Sequence, residues 1–180
     1  MSERSSEERR RAFELSNRGA SYLQEGKPEK ALPLLREALS SLPDDPSIML
    51  NLGGAYVVLG RYIEAEAVLS RAAEVAPNDP LVWSNLGAAL LRLRLGDEGE
   101  CQRRAIAAFR RALELDPKAP NVAYNLALVH RERGEWEQAA RFFQLAMEAD
   151  PNDPDARSLY EKMRNRAAGQ GPNEKATPPD

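Results

Sequence analysis

A short proline phrase recurs four times along the chain and constrains where helices begin and end. Its first prolines are 34, 40 and 34 residues apart, and its copies are Pro43-Asp44-Asp45-Pro46, Pro77-Asn78-Asp79-Pro80, Pro117-Lys118-Ala119-Pro120 and Pro151-Asn152-Asp153-Pro154. The first proline cannot extend the preceding helix, because it lacks an N–H and its ring clashes with the turn behind it. The aspartate that follows can cap the next helix, and the second proline suits that helix's first position. We therefore expect a helix boundary at each copy, rather than a polyproline ligand for SH3-type domains.

The stretches between these phrases share a pattern of small and large residues. They form segments 12–45, 46–79, 80–119 and 120–153 on a 34-residue frame, and each contains two helical stretches separated by a turn with glycine. Frame positions 20 and 27 are Ala in every segment, position 8 is small, and position 24 is large. Small residues let helix backbones approach closely, and large residues fill the space between repeats. The pattern predicts stacked helix pairs.

This pattern resembles the tetratricopeptide (TPR) repeat, which has a bulky residue at 4, Leu at 7, Gly at 8, Tyr at 11, Ala at 20 and 27, and Pro at 32. Arg18 in the first segment and Ala123 and His130 in the fourth depart from it. The resemblance implies an all-α fold, a right-handed α-solenoid of four TPR helix pairs plus a C-terminal capping helix. The second segment carries the match at Met49, Leu52, Gly53, Tyr56, Ala65, Leu69, Ala72 and Pro77.

Three further segments complete the expected domain organisation. We expect residues 1–11 to be a flexible N-terminus, residues 154–168 to be the capping helix of the open repeat end, and residues 169–180 to be a disordered tail. The third repeat carries six extra residues near 94–104. These either lengthen its helices or form a surface loop, which is cheap to extend.

Charge and cysteine content argue against several classes of function. The net charge is −3 and no concentrated basic face is evident, so we expect no nucleic-acid partner. No run of about 18 apolar residues is present, so we expect no membrane span. The N-terminus lacks the apolar core of a secretory signal, and the single cysteine permits no internal disulfide. These features favour a cytoplasmic location.

Cys101 and His130 are the chain's only thiol and only imidazole. His130 stands at frame position 11, where a packed side chain is expected, and Cys101 follows Glu100, an acidic neighbour that disfavours the thiolate. No third group is evident to orient a nucleophile and base. We therefore predict no enzymatic activity, no cofactor and no metal site, and an enzyme built on these two residues stands as a third hypothesis.

Asparagine occupies frame position 6 in all four segments, at Asn17, Asn51, Asn85 and Asn125. The resemblance implies that this position points into a concave groove lined by the first helix of each repeat. Amides both donate and accept, so a ladder of them can pair with an extended peptide, although a local structural role is the alternative. Neighbouring positions supply an apolar floor, comprising Phe13, Leu23, Leu50, Val57, Leu81, Leu91, Tyr124 and Leu128.

The expected partner is a protein or peptide that is more apolar than a chaperone carboxylate tail. Chaperone-binding TPR domains hold two carboxylates in a clamp of five residues. The corresponding residues here are Ser16, Ala20, Asn51, Leu81 and Asn85, and only one of the five matches the clamp. We therefore predict a non-catalytic adaptor that binds an extended peptide or an amphipathic helix. A self-associating scaffold, which would form homo-oligomers, is the alternative. The predicted peptide-binding residues are Asn17, Asn51, Asn85, Asn125, Phe13, Leu50, Leu81, Tyr124 and Leu128.

Overall fold

The computed structural model describes residues 3–93, 98–119 and 121–169. The prediction of an all-α fold of paired helices is confirmed within these ranges. The described residues form α1 (Glu3–Gln24), α2 (Pro28–Ser41), α3 (Pro46–Val58), α4 (Tyr62–Val75), α5 (Pro80–Arg92), α6 (Glu98–Leu115), α7 (Val122–Glu132), α8 (Trp136–Ala149) and α9 (Pro154–Ala167).

The proline phrases determine where the first helix of a pair begins. Asp45, Asp79 and Asp153 are the N-caps of α3, α5 and α9, and their carboxylates accept backbone N–H groups at 2.9 to 3.1 Å. Each of these helices then starts at the proline that follows. The third phrase has Ala119 instead of aspartate, and α7 starts only after Asn121, whose φ of 61° is left-handed. The missing side-chain acceptor accounts for the later start.

Residues 1–117 form one compact unit, unit 1, built from three helix pairs. The pairs are α1 with α2, α3 with α4, and α5 with α6, and each second helix also contacts the first helix that follows within the unit. In addition, α3 contacts both α1 and α5, so the three first helices are neighbours. The large residues at frame position 24 fill the core, since Leu35, Leu69 and Phe109 are fully buried.

Residues 118–180 form a second compact unit, unit 2, of which α7, α8 and α9 are described. In this unit α8 packs against both α7 and α9. Its core cluster joins Phe143 of α8 to Met163 of α9, with Leu159, Tyr160 and Trp136 packed against it. The last described helix therefore covers apolar side chains of α8.

The first residues of the chain differ from the expectation of a flexible N-terminus. Residues 3–11 belong to α1, although the side chains of residues 6–11 are exposed. Glu and Arg favour helix, and Arg10 pairs with Glu7 at 3.8 Å and with Glu14 at 3.7 Å, about one turn to either side. Local helix propensity therefore extends α1 although the side chains of residues 6–11 are not buried.

The extra residues of the third repeat partly lengthen a helix. With 18 residues, α6 is longer than α2, α4 and α8, which have 14 each. The difference is about one helical turn, and Glu100 in this added turn pairs with Arg103 at 2.7 Å. Residues 94–97 of the predicted insertion and residues 170–180 of the predicted tail lie outside the described residues.

Candidate functional site

Three of the four predicted asparagines lie on the neighbouring first helices of unit 1. Asn17 on α1 is exposed, whereas Asn51 on α3 and Asn85 on α5 are half-buried. A β-carbon placed on Gly54 of α3 would lie 3.9 Å from Oδ1 of Asn85, so this amide reaches towards the preceding first helix. We define the first-helix face of unit 1 by six residues, Phe13, Asn17, Leu50, Asn51, Leu81 and Asn85.

The amide of Asn85 is partly committed to its own helix. Its Nδ2 donates to the backbone oxygen of Leu81 at 2.9 Å, one turn earlier on α5. Asn85 therefore has the local structural role that the sequence analysis gave as the alternative to peptide binding. An amide carries a second N–H and two acceptor lone pairs, so Asn85 retains capacity to bond a ligand.

The apolar members of the first-helix face differ in exposure. Phe13 is 38% exposed and Leu81 is 48% exposed, whereas Leu50 is half-buried. The guanidinium of Arg9 stands 5.8 Å from the ring centroid of Phe13. Exposed apolar side chains next to amides offer a partner both area to bury and groups to bond.

Two of the three predicted binding residues on α7 pack against the core of unit 2. Asn125 is half-buried, and Tyr124 and Leu128 pack against the core cluster that includes Phe143. The rings of Tyr124 and Phe143 meet edge to face, with centroids 5.5 Å apart. Burial raises the pKa of the Tyr124 hydroxyl, and the nearby carboxylates Asp155 and Asp153 raise it further. These two side chains therefore stabilise unit 2, a role that the sequence pattern did not separate from binding.

His130 fills space in unit 2, as its frame position predicts. It is 4% exposed, and its ring stacks on Phe142 with centroids 5.2 Å apart. Its Nδ1 lies 2.5 Å from Oε2 of Glu135. The hydrogen bond with His130 and the charge of Arg133 lower the pKa of Glu135 below its usual 4.5, against the opposing effect of burial.

The sequence also predicted no enzymatic activity, no metal site and no membrane span. Cys101 is buried on α6. In the part of the chain that the structure describes, no group of three or more His, Cys, Asp or Glu side chains is placed to hold a metal ion. Of the described helices, none combines the length and apolarity needed to cross a bilayer.

Sequence reasoning missed an apolar pocket of about 490 Å³ between α4, α5 and α6 of unit 1. It shares no residue with the first-helix face. A signal was available in the repeat frame, because alanines occur at two positions where other repeats have larger side chains. The pocket is lined by Ser70, Ala73, Glu74, Trp83, Leu86, Leu90, Arg104, Ala107, Ala108 and Arg111.

The paired helices and their regular small-and-large packing define the molecule as a helical-repeat protein. A family model described as tetratricopeptide repeat matches residues 22–90 and 103–163, which is most of the chain. The chain therefore belongs to the tetratricopeptide repeat family. Proteins of this kind typically present extended binding surfaces to other proteins.

Solved structures share this fold at low sequence identity. TTC0263, a thermophilic TPR protein in Thermus thermophilus, aligns with a TM-score of 0.73 at 20% identity, covering 88% of this chain and 84% of its own. MamA 41-end from Desulfovibrio magneticus RS-1 aligns at 0.73 and 23% identity, covering 89% and 87%. YrrB, described as a TPR protein with an unusual peptide-binding site, aligns at 0.67 and 20% identity, covering 88% and 78%. A comparison with curated protein sequences found no match.

Proposed function

We propose that the protein is a non-catalytic adaptor that binds an extended peptide or an amphipathic helix on the first helices of its repeats. The observation that carries the proposal is the contact of α3 with both α1 and α5, because it brings the amides of three repeats, together with the exposed Phe13 and Leu81, onto adjacent helices. The proposed contacts are the first-helix face of unit 1 and, separately within unit 2, Asn125 with the uncovered parts of the half-buried Tyr124 and Leu128.

The proposed chemistry combines backbone pairing with apolar burial. An extended peptide presents alternating N–H and C=O groups, and asparagine amides can satisfy both kinds. Each such bond contributes about 0.5–1.5 kcal/mol net. Phe13 and Leu81 supply apolar area, which favours a partner with apolar side chains over an acidic tail. The proposal includes a cytoplasmic location, in line with a single, buried cysteine.

The amides are tested by selecting peptides from a randomised displayed library against the wild-type protein. The selected peptides are then measured by fluorescence anisotropy on the variant Asn17→Ala/Asn51→Ala/Asn85→Ala/Asn125→Ala. We expect at least about a tenfold loss of affinity with the helical circular dichroism spectrum retained. Asn152→Ala/Asn165→Ala, which removes exposed asparagines outside the first helices, is the matched control and should bind as the wild type does. Unchanged affinity in the quadruple variant would remove the amides from the mechanism, and lost helicity would make them structural.

Self-association is the second candidate function. The observation in its favour is the exposure of Val58 (69%) and Ile63 (56%), which flank the turn between α3 and α4. Contiguous exposed apolar patches are typical of interaction sites, and these two side chains lie on either side of one turn. Light scattering over a range of concentrations would show a mass increase that Val58→Thr/Ile63→Thr abolishes. A constant monomer mass would exclude this function.

A further inference from the structure

The apolar pocket of unit 1 is a second concave surface, separate from the first-helix face. Its floor consists of Trp83, Leu86 and Leu90 on α5, between walls formed by α4 and α6. The indole Nε1 of Trp83 donates to the backbone oxygen of Pro77 at 2.9 Å, which fixes the ring in place. The lining residues on α5 and on α6 each span seven residues or more, so the pocket is about two helical turns, or roughly 10 Å, long.

The pocket is open because both of its walls lack a large side chain. On α4 the wall residue is Ala73, at frame position 28, where the other repeats have Leu39, Leu113 and Met147. On α6 the wall residue is Ala108, at frame position 23, where the other repeats have Leu34, Val68 and Phe142. The equivalent pair one repeat earlier in unit 1 is Leu39 of α2 and Val68 of α4, and both of these side chains are larger than alanine.

The two rims of the pocket carry opposite charge. Arg104 and Arg111 stand on the α6 rim, and Glu74 stands on the α4 rim. Arg104 bonds Glu66 through Nη2, and Arg111 bonds Glu114 at 3.1 Å and Asn78 at 3.3 Å. Each guanidinium has five N–H donors. These bonds therefore position the two cations while using one donor of Arg104 and two of Arg111.

We propose that this pocket binds an amphipathic helix of a partner protein, with its apolar side chains in the pocket and its acidic flank against Arg104 and Arg111. A helix fits better than an extended strand, because the lining offers apolar side chains and the ends of charged ones but few groups to pair with a strand's backbone. Unpaired backbone groups are costly to bury, and a helix satisfies its own. Acidic residues seven apart on a helix lying along α6 match the spacing of the two arginines.

The probe is a stapled helical peptide of about 20 residues. It carries leucines along one face and two glutamates seven residues apart on one flank, and a matched peptide carries glutamines at those two places. Fluorescence anisotropy should show the wild-type protein binding the glutamate peptide about three- to tenfold tighter than the glutamine peptide, and less so at high salt. Failure of the wild type to bind either peptide would overturn the proposal.

Three double variants test whether the peptides bind at the pocket or elsewhere on α6. Ala73→Leu/Ala108→Val fills the pocket with the side chains of other repeats and should lose at least tenfold in affinity for both peptides while remaining folded. Arg104→Gln/Arg111→Gln should abolish the preference for glutamate. Arg103→Gln/Arg110→Gln removes two exposed arginines with the same spacing on the same helix and should preserve that preference.

Two results would contradict the assignment. If Ala73→Leu/Ala108→Val binds the peptides as tightly as the wild type does, the peptides bind elsewhere. The same follows if Arg104→Gln/Arg111→Gln still prefers the glutamate peptide to the glutamine peptide. A dimer detected by sedimentation, and lost in Ala73→Leu/Ala108→Val, would assign the pocket to a second copy of the chain instead. None of these outcomes depends on the asparagines, so this proposal and the adaptor proposal fail separately.

Discussion

Gly53 and Gly54 are neighbours on α3, yet the space around them differs. A β-carbon on Gly53 would lie 2.4 Å from Cγ and 2.5 Å from Cδ2 of Leu69, which is fully buried. A β-carbon on Gly54 would meet only Oδ1 of Asn85, at an ordinary contact distance of 3.9 Å. The close approach of α3 to α4 therefore requires glycine at the first position but not at the second.

We expect alanine substitutions at these two positions to change stability in opposite directions. Gly53→Ala should destabilise the protein by about 1–3 kcal/mol, because the buried Leu69 must move. Gly54→Ala should stabilise it by about 0.5–1 kcal/mol, because glycine in a helix interior is entropically unfavourable and the methyl group fits. Urea unfolding followed by circular dichroism measures both. Equal effects of the same sign would contradict the packing described for α3.

Glu135 links the stability of unit 2 to pH. Its pKa is lower in the folded chain than its usual 4.5, mainly because of the hydrogen bond with His130. A carboxylate whose pKa is lowered by folding stabilises the folded state above its unfolded pKa, and this contribution is lost as the pH falls through the folded pKa.

We therefore expect the stability advantage of the wild type over Glu135→Gln to shrink as the pH falls from about 6 to about 3. Urea unfolding of both proteins across this range measures the difference. Glu137→Gln, which removes an exposed glutamate two residues further along, in the first turn of α8, controls for the loss of one charge. An advantage that does not change with pH would mean that the Glu135 carboxylate gains nothing from its folded surroundings.

At the scale of the helix, α9 is held by few buried side chains. Only Ala156 and Met163 are fully buried on it, and Met163 belongs to the core cluster formed with α8. Its last turn carries Arg164 and Arg166, and cations suit the negative end of a helix. Its attachment therefore depends strongly on one apolar residue.

We predict that Met163→Ala destabilises the protein by about 2–5 kcal/mol, the range for emptying a buried methionine site. Lys162→Ala, one residue earlier and exposed, should change stability by less than about 0.5 kcal/mol. Thermal and urea unfolding of the two variants test this contrast. Similar stabilities for both variants would show that α9 is not anchored at Met163.

At the scale of the whole molecule, the chain divides into two compact units after Pro117, the first proline of the phrase that lacks an aspartate cap. Unit 1 contains three helix pairs, and unit 2 contains one pair and α9. The stability of a repeat protein is approximately a sum of repeat and neighbour terms, and about three repeats are needed for a stable core.

A fragment comprising residues 1–117 should therefore fold by itself, with a helical circular dichroism spectrum and a cooperative urea transition. The fragment of residues 118–180, with one helix pair and α9, should be less stable in isolation because it has less apolar area to bury. An unfolded 1–117 fragment would show that the three pairs of unit 1 do not make an independent core.

Much of this architecture could be predicted from interactions between residues close together in the sequence. Prolines stop helices and aspartates cap them through contacts within a few residues, so the starts of α3, α5 and α9 follow from sequence position alone. The small and large residues of the frame likewise predict which side chains are buried, as at Leu69 and Phe109. The same reasoning expected a flexible segment at residues 1–11, whereas α1 begins at Glu3 and ion pairs of Arg10 accompany its exposed first turns.

The sequence by itself determined the helices, their pairing and the family, because these depend on interactions between residues close together or at a fixed repeat spacing. Only the tertiary structure decided which side chains are available to a partner. It packed Tyr124 against a core, bonded Asn85 to its own helix, and joined Ala73 and Ala108 across one open pocket. Availability depends on what neighbouring helices leave uncovered, and that is a property of three-dimensional packing that no single repeat carries.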